Sequence, residues 1–217
     1  MYLNDEQADK LKAMVRQLEQ RTGVRLMTAV VGKSGLYPEI PWKAFACGVI
    51  ANACMHLIGT VWNPDAHLNW SVQHTLGFVL GTSAGIALLT FFWPSFGRLF
   101  LSALSRETAT GHYARSLFTQ YEMFKTPARN GILLLISLFE QRAVLLPDSG
   151  IAGQLGERSR RGLVSRMNAH LRRENGFQAL AEGIRHLETA LGAGPSDALA
   201  DRVCPEGDML IELEGIS

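Results

Sequence analysis

The stretch GILLLISLF, Gly131–Phe139, decides the fold because it is a continuous apolar run of strand length. The segment Gln141–Leu146 follows after a tight turn, and this arrangement predicts an antiparallel β-hairpin. A second apolar run rich in β-branched residues, Val24–Val31, is also predicted to be a strand. Neither run is expected to be exposed to water, so both should share one sheet whose faces are covered by helices.

Helical patterns surround the predicted strands. Asn4 and Gln7 have the spacing of a capping box, and apolar residues then recur at helical spacing as far as Gly23, a typical C-terminal cap. A turn at Asp148–Gly150 follows the β-hairpin. Three further helices are predicted, at Ser105–Phe124, Gly153–Arg173 and Gly176–Leu191.

Two apolar runs, Ala44–Val61 and Val72–Phe92, lie between the predicted strands and contain no Asp, Glu, Lys or Arg. As helices they would be about 27–32 Å long, which matches the hydrocarbon core of a bilayer. Indole rings concentrate at membrane interfaces. The tryptophans bracket both runs and lie at Trp42, Trp62, Trp70 and Trp93. We therefore predict a two-helix transmembrane hairpin, entered through a loop at Gly32–Pro41.

The predicted fold class is α/β, with a mixed sheet that is flanked by helices and interrupted by the transmembrane hairpin. Residues 1–41 and 105–192 form the two parts of the α/β domain, residues 42–104 form the hairpin with an interfacial extension, and residues 193–217 form a C-terminal tail. Lys and Arg flank the hairpin but are missing from its connection at 63–71. This asymmetry predicts an inner (cytoplasmic) membrane protein with two spans and both termini in the cytoplasm.

Three glycines form a small-residue face on the second apolar run. Gly77, Gly81 and Gly85 recur every four residues, as GxxxGxxxG, and so lie on one side of a helix. Such a face lets another helix approach closely. Two partners remain open from the sequence alone: the first apolar run of the same chain, or an external membrane helix, including one from a second copy.

Two polar residues, Asn52 and His56, lie one turn apart in the middle of the first apolar run. Polar groups in hydrocarbon are costly and tend to find hydrogen-bond partners. Thr82 and Ser83 on the second run are suitable partners. We therefore interpret Asn52 and His56 as residues that help to pack the two helices.

Composition and motifs indicate little catalytic chemistry. The net charge of +1 does not suggest a nucleic-acid partner, and the three cysteines lack zinc-site spacing. GxGxxG, Walker A, GxSxG and HExxH patterns are all missing from the sequence. The arginines between Arg158 and Arg173 are interpreted as a solvated helix face, with contact to anionic lipid as the open alternative.

Asp148 is the acidic residue that the sequence singles out, because it lies in a turn just before a predicted helix. Its carboxylate is suited to capping that turn. Alternatively, it would bind a cation together with another carboxylate, for which Glu140, Glu122 and Asp5 are the candidates.

A series of short motifs in a fixed order runs through the stretch Thr126–Ile151. Thr126, Arg129 and Gly131 precede the apolar strand Ile132–Ile136, and Ser137, Glu140, Arg142, Val144 and Asp148-x-Gly150-Ile151 follow it. In this order, and with the interrupting hairpin, the chain resembles the TPM-domain proteins, named for thylakoid lumenal phosphatase, photosystem II repair and receptor-modulator members. It is most similar to the bacterial subgroup with a membrane hairpin inside the domain. The resemblance covers Leu3–Val31, Ala114–Leu191 and the tail residues Ile211–Leu213.

This resemblance implies an α/β sandwich of helices around a central sheet. Some members of the family are acid phosphatases, and some bind calcium through acidic residues at one end of the sheet. Of the residues in this chain, Asp148 and Glu140 occupy matching positions. The family's turn rich in glycine and asparagine is replaced here by Lys125–Asn130, so we expect an incomplete cation site and favour a protein that is not an enzyme.

Two functions from different classes remain open. The first is a non-catalytic membrane protein without a cofactor that binds, or helps to assemble, a larger membrane complex. Its expected partners are membrane lipid and either an integral membrane protein or a second copy at the glycine face. The alternative is a membrane-tethered phosphohydrolase that uses calcium or magnesium, with Glu140 and Asp148 as metal ligands and Arg129 and Arg142 as nearby cations.

Overall fold

The computed structural model describes residues 4–62, 72–192 and 209–212. The chain divides into two compact units. We name them the head unit (Met1–Gly35 and Leu104–Ser217) and the hairpin unit (Leu36–Ala103). In chain order the elements are α1 (Asp5–Thr22), β1 (Arg25–Val31), α2 (Glu39–Trp62), α3 (Val72–Phe92), α4 (Pro94–Gly97), α5 (Ala103–Gln120), β2 (Gly131–Ser137), β3 (Arg142–Pro147), α6 (Ser149–Ala152), α7 (Glu157–Leu171), α8 (Gly176–Leu191) and β4 (Met209–Glu212).

The sheet of the head unit has the strand order β3-β2-β1-β4. Strand β1 is parallel to both of its neighbours, and its register with β2 runs from Arg25 opposite Gly131 to Val31 opposite Ser137. Strands β2 and β3 form an antiparallel pair. The predicted mixed sheet, its two apolar strands and the β-hairpin are therefore confirmed. Backbone pairing also places β4, from the predicted C-terminal tail, beside β1.

Helices cover both faces of this sheet, which explains why β1 and β2 carry apolar side chains on both faces. One face packs against α1, α7 and α8, and its strand residues are Leu26, Val30, Ile132, Leu134 and Ile136. The other face packs against α5, and its strand residues are Met27, Ala29, Val31, Leu133 and Leu135. Successive side chains of a strand point to opposite faces, so each run supplies two cores at once.

The ends of α1 follow the sequence signals. Asn4 and Gln7 form the predicted capping box, with reciprocal hydrogen bonds between the side chain of each and the backbone of the other. Gly23 ends the helix in the left-handed conformation with φ 66°, and its N–H donates to the Glu19 carbonyl. Here local sequence preference and tertiary packing agree.

The hairpin unit contains two long helices, α2 and α3, at the positions of the predicted apolar runs. Helix α2 begins at Glu39, inside the segment predicted as a loop, because Pro41 is compatible with the first turn of a helix. Both helices are long and apolar enough to cross a membrane, over Glu39–Gly59 and Gln73–Phe92. Only 11% of the first segment and 6% of the second are buried.

Candidate functional site

Asp148 lies at the start of α6 and caps it. Its Oδ1 accepts a hydrogen bond from Ser149 N at 2.7 Å and lies 3.7 Å from Nη1 of Arg129. The residue is only 7% exposed. Its second oxygen, Oδ2, is shielded from water and has no hydrogen-bond partner among the described residues. Asp148 thus performs the capping role that the sequence indicates and keeps one buried acceptor unused.

Gly150 explains why the motif around Asp148 is compact. A Cβ at this position would lie 2.7 Å from the carbonyl oxygen of Arg129 and still closer to that of Ala128. The N–H of Gly150 also donates to the Arg129 carbonyl at 3.0 Å. The backbone of the preceding loop therefore packs directly on the turn, and only glycine leaves room for it.

Glu140 lies in the turn between β2 and β3 and is 1% exposed. Its Oε1 accepts a hydrogen bond from Ser34 N at 3.0 Å, and its Oε2 accepts one from the Ser137 hydroxyl. The carboxylate therefore joins the loop after β1 to the end of β2. A buried carboxylate with these donors is satisfied by the protein itself.

The two predicted metal ligands, Glu140 and Asp148, are not brought together. Asp148 donates its N–H to the Gly131 carbonyl at 2.8 Å, at the beginning of β2, whereas Glu140 follows the end of that strand. Seven extended residues span about 20 Å, so one ion cannot contact both carboxylates. The prediction that Glu140 and Asp148 bind one metal ion together is therefore wrong.

The other acidic candidates do not complete a cation site. Glu122 forms an ion pair with Lys125 at 2.5 Å, and Asp5 lies in the first turn of α1. No group of three or more His, Cys, Asp or Glu side chains that would hold a metal ion exists within residues 4–62 and 72–192. The predicted cations are also separated, because Arg129 lies beside Asp148 while Arg142 pairs with Glu107 at 3.1 Å.

The glycine face of α3 does not pack against α2. A Cβ added at Gly77, Gly81 or Gly85 would meet no atom within 4 Å in the described structure. The close helix approach instead involves Gly48 of α2, where a Cβ would lie 3.0 Å from the Cα of Ser83. At 100° per residue, Ser83 is about 160° from the centre of the glycine face. Of the two partners left open by the sequence, the first apolar run is therefore excluded.

Asn52 forms the predicted hydrogen bond between the two long helices. Its Nδ2 donates to Thr82 Oγ1 at 3.1 Å and to the Gly48 carbonyl at 2.8 Å. His56, one turn further along α2, is exposed. The packing role is therefore supported for Asn52, and for His56 it stays a prediction.

The structure brings together a polar cluster that the sequence analysis missed. Ser159 Oγ lies 3.0 Å from Nε2 of His186, and Nη2 of Arg166 lies 2.9 Å from Nδ1 of the same ring. Glu182 is 3.8 Å from Arg166. The cluster joins α7 to α8. No local sequence motif predicts it, because its residues come together only when the two helices pack.

The Ser159–His186 pair is not arranged for nucleophilic catalysis. A guanidinium has donors only, so Nδ1 of His186 accepts from Arg166 and the proton of the neutral ring is on Nε2. That N–H points to Ser159 Oγ, so the ring cannot take the serine proton, as a general base must. Burial, and then the charge of Arg166, lower the pKa of His186, which favours the neutral ring.

Comparisons with known proteins agree with this architecture. The family model of the TPM domain, named TPM phosphatase, matches residues 99–190. The NMR structure of the BA42 protein from the psychrophilic bacterium Bizionia argentinensis sp. nov. is similar, with a TM-score of 0.57 and 13% identity over 97% of this chain and 96% of that chain. At this identity the likeness concerns the fold alone. No curated protein sequence matches the chain. The family match therefore confirms the resemblance read from the motifs over residues 99–190, which match a TPM domain.

Proposed function

We propose that this protein, whose residues 99–190 match a TPM domain, is anchored in the inner (cytoplasmic) membrane by its hairpin unit, with both termini in the cytoplasm. We further propose that it acts without catalysis, as an accessory subunit that binds or helps to assemble a larger membrane complex. The observation that carries the proposal is the exposure of large apolar side chains on α2 and α3. Met55 is 71% exposed, Phe78 56% and Leu88 58%.

Lipid is the environment that suits these helices. A helix that is apolar on all sides is typical of a membrane span, and soluble proteins rarely expose contiguous apolar patches of this kind. Helices also satisfy their backbone hydrogen bonds internally, as a bilayer requires. The hydrogen bond between Asn52 and Thr82 supports the same interpretation, because it pairs two polar groups that hydrocarbon would not solvate.

The glycine face is the proposed contact with an integral membrane protein or a second copy. Its three glycines are open along one side of α3, so a second helix would meet no side chain there.

The two acidic residues of the predicted metal site favour a binding function over a catalytic one. Glu140 joins two loops and Asp148 caps a helix, so both carboxylates already have structural roles.

A glycine substitution tests the proposed contact. Gly81→Leu adds bulk where the hairpin unit has space, so the anchor should remain intact while the approach of a partner helix is blocked. We expect a severalfold loss of the large species in native gels of membranes solubilised in mild detergent, at native expression. Ala53→Leu, on the exposed side of α2, is the matched control and should behave as wild type. Equal behaviour of the two variants, or a wild-type chain that migrates alone, would contradict the proposal.

Membrane anchoring is tested separately. After extraction of membranes with alkaline carbonate, the full chain should remain in the membrane pellet. In a separate detergent phase separation, it should partition into the detergent phase. Recovery in the aqueous fraction would contradict the anchor, whatever the outcome for Gly81→Leu.

A phosphohydrolase is the second candidate, favoured by the name of the matching family model and by the environment of Asp148. Oδ2 of Asp148 is buried and has no hydrogen-bond partner among the described residues. The same carboxylate is paired with Arg129, and a guanidinium is a cation that binds phosphate well. We expect hydrolysis of p-nitrophenyl phosphate by the full chain, with added calcium or magnesium, if this function exists. If Asp148→Ala leaves this activity unchanged, Asp148 is excluded as part of the active site. Glu140→Gln, at the other end of β2, is the matched control variant.

A further inference from the structure

We propose that a groove between α7 and the edge of β3 binds phosphate groups. The groove has a volume of about 700 Å³. Its walls are formed by one face of α7 and by Leu145 of β3, and its basic lining residues are Arg160, Arg161, Arg172 and Arg173. This proposal does not depend on the membrane anchor or on the glycine face.

The charge of α7 and its C-terminal turn differs sharply from that of the chain. Residues 157–173 contain six arginines, no lysine and one acidic residue, whereas the whole protein has a net charge of +1. The positive charge is therefore concentrated on one helix. Arginine rather than lysine suits this role, because its planar guanidinium matches phosphate oxygens with two parallel hydrogen bonds.

The positive charge in the groove is not neutralised by the protein. Glu157 is shared by two arginines: it pairs with Arg160 and accepts from Nε of Arg161 at 3.0 Å. Hydrogen bonds from Arg161 and then Arg160 lower the pKa of Glu157, so this carboxylate stays ionised. Arg172 and Arg173, both exposed, form no ion pair with any residue in the described part of the chain.

One donor in the groove is buried and unused. Nε of Arg160 is shielded from water and lacks a hydrogen-bond partner within the described residues. Buried donors are rarely left unpaired, because each loses its hydrogen bond to water. A phosphate oxygen would satisfy it if ligand binding turns the Arg160 side chain toward the groove.

The edge of β3 argues against a peptide strand as the occupant. The N–H of Ala143 is already bonded to Asn168 Oδ1 at 2.7 Å, and Pro147 has no N–H. Both ends of the edge are therefore unavailable for strand addition. The groove must recognise its ligand through the arginine side chains.

The spacing of the arginines indicates a ligand with more than one phosphate group. Arg161 and Arg172 are eleven residues apart. They are therefore separated by about 17 Å along the helix axis. A single small anion would contact one end of the groove. Neighbouring headgroups of anionic phospholipids, or a soluble polyphosphate, would contact both.

Arginine reactivity tests the proposal on the full chain in nanodiscs. The rate of phenylglyoxal modification at Arg172 and Arg173 is measured by peptide mass spectrometry, with Arg16 and Arg185 as exposed controls. One arm adds sodium tripolyphosphate to phosphatidylcholine discs at constant ionic strength. The other arm replaces a quarter of the lipid with phosphatidylglycerol. We expect at least fivefold protection of Arg172 and Arg173 in one arm or both, with the controls unchanged.

The two arms identify the source of the phosphate. Protection by tripolyphosphate alone assigns a soluble ligand, protection in phosphatidylglycerol discs alone assigns lipid headgroups, and protection in both assigns phosphate from either source. Absence of protection in both arms overturns the proposal. Equal protection of Arg16 and Arg185 also overturns it, because simple charge screening would then explain the result.

Matched variants give a second test. Arg172→Gln with Arg173→Gln should weaken tripolyphosphate binding about tenfold, whereas Arg16→Gln with Arg185→Gln removes the same charge elsewhere and should have little effect. Glu157→Gln should strengthen binding, because it releases Arg160 and Arg161 from their internal carboxylate. Weaker binding by Glu157→Gln, or equal losses in the two arginine pairs, would contradict a specific groove.

Discussion

Strand β2 of the head unit and helix α3 of the hairpin unit are both apolar and uncharged, but they differ in burial. Every residue of β2, from Gly131 to Ser137, is buried, whereas only 6% of the α3 segment Gln73–Phe92 is buried. Helices cover β2 from both sides, while the outer side of α3, with its glycine face, is open. Apolar composition therefore does not determine burial by itself, because burial also depends on the layers of protein that cover the element.

The largest expected effect is a difference between matched leucines in the two regions. Leu134→Ala in β2 removes a side chain with 0% exposure and should lower the free energy of unfolding by about 2–5 kcal/mol. Leu88→Ala in α3, where the leucine is 58% exposed, should change it by less than about 0.5 kcal/mol. Hydrogen exchange, measured by mass spectrometry in mild detergent, reports the first value at the β2 amides and the second at the α3 amides. Equal losses would end the contrast between the regions.

A smaller effect is expected at the cap of α6. Asp148→Ala removes the acceptor for Ser149 N and the partner of Arg129, so the head unit should lose about 1 kcal/mol of unfolding free energy. Asp148→Asn keeps a capping oxygen and should lose less. The same exchange measurement applies, and the hairpin amides should be unaffected. A larger loss for asparagine than for alanine would contradict the capping role.

The smallest effect concerns pH and is confined to the head unit. The lowered pKa of His186 means that the folded protein favours the neutral ring. Its contribution to stability is complete above about pH 6.5, the ordinary pKa of histidine, and is lost as the pH falls through the folded-state pKa. Titration of the ring by NMR should give a pKa below 6.5, and Arg166→Gln should raise it. A pKa that does not respond to this variant would exclude Arg166 as a cause.

Sequence periodicity was sufficient for most of the fold. The β1 and β2 runs, the β-hairpin, the capping box at Asn4 and the two long helices all follow from local patterns of apolar and capping residues. Helix α2 begins earlier than the sequence predicts, because Pro41 is compatible with the first turn of a helix as well as with a loop.

The candidate sites were harder to predict because they depend on rotation and register. Proximity in sequence made Glu140 and Asp148 look like a pair, but an antiparallel hairpin places them at opposite ends of β2. The spacing of the glycines places them on one side of α3, but which side of the helix meets α2 is fixed by contacts such as that of Gly48 with Ser83. The contact between Ser159 and His186 exists only after α7 and α8 pack.

The connection between the adjacent parallel strands β1 and β2 imposes an order on biosynthesis. Residues 32–130 separate the two strands, and the whole hairpin unit lies within this interval. A ribosome therefore completes α2 and α3 before the first partner of β1 has been made. The head cannot close its sheet until the hairpin has been synthesised, so the newly made β1 needs protection from aggregation during that delay.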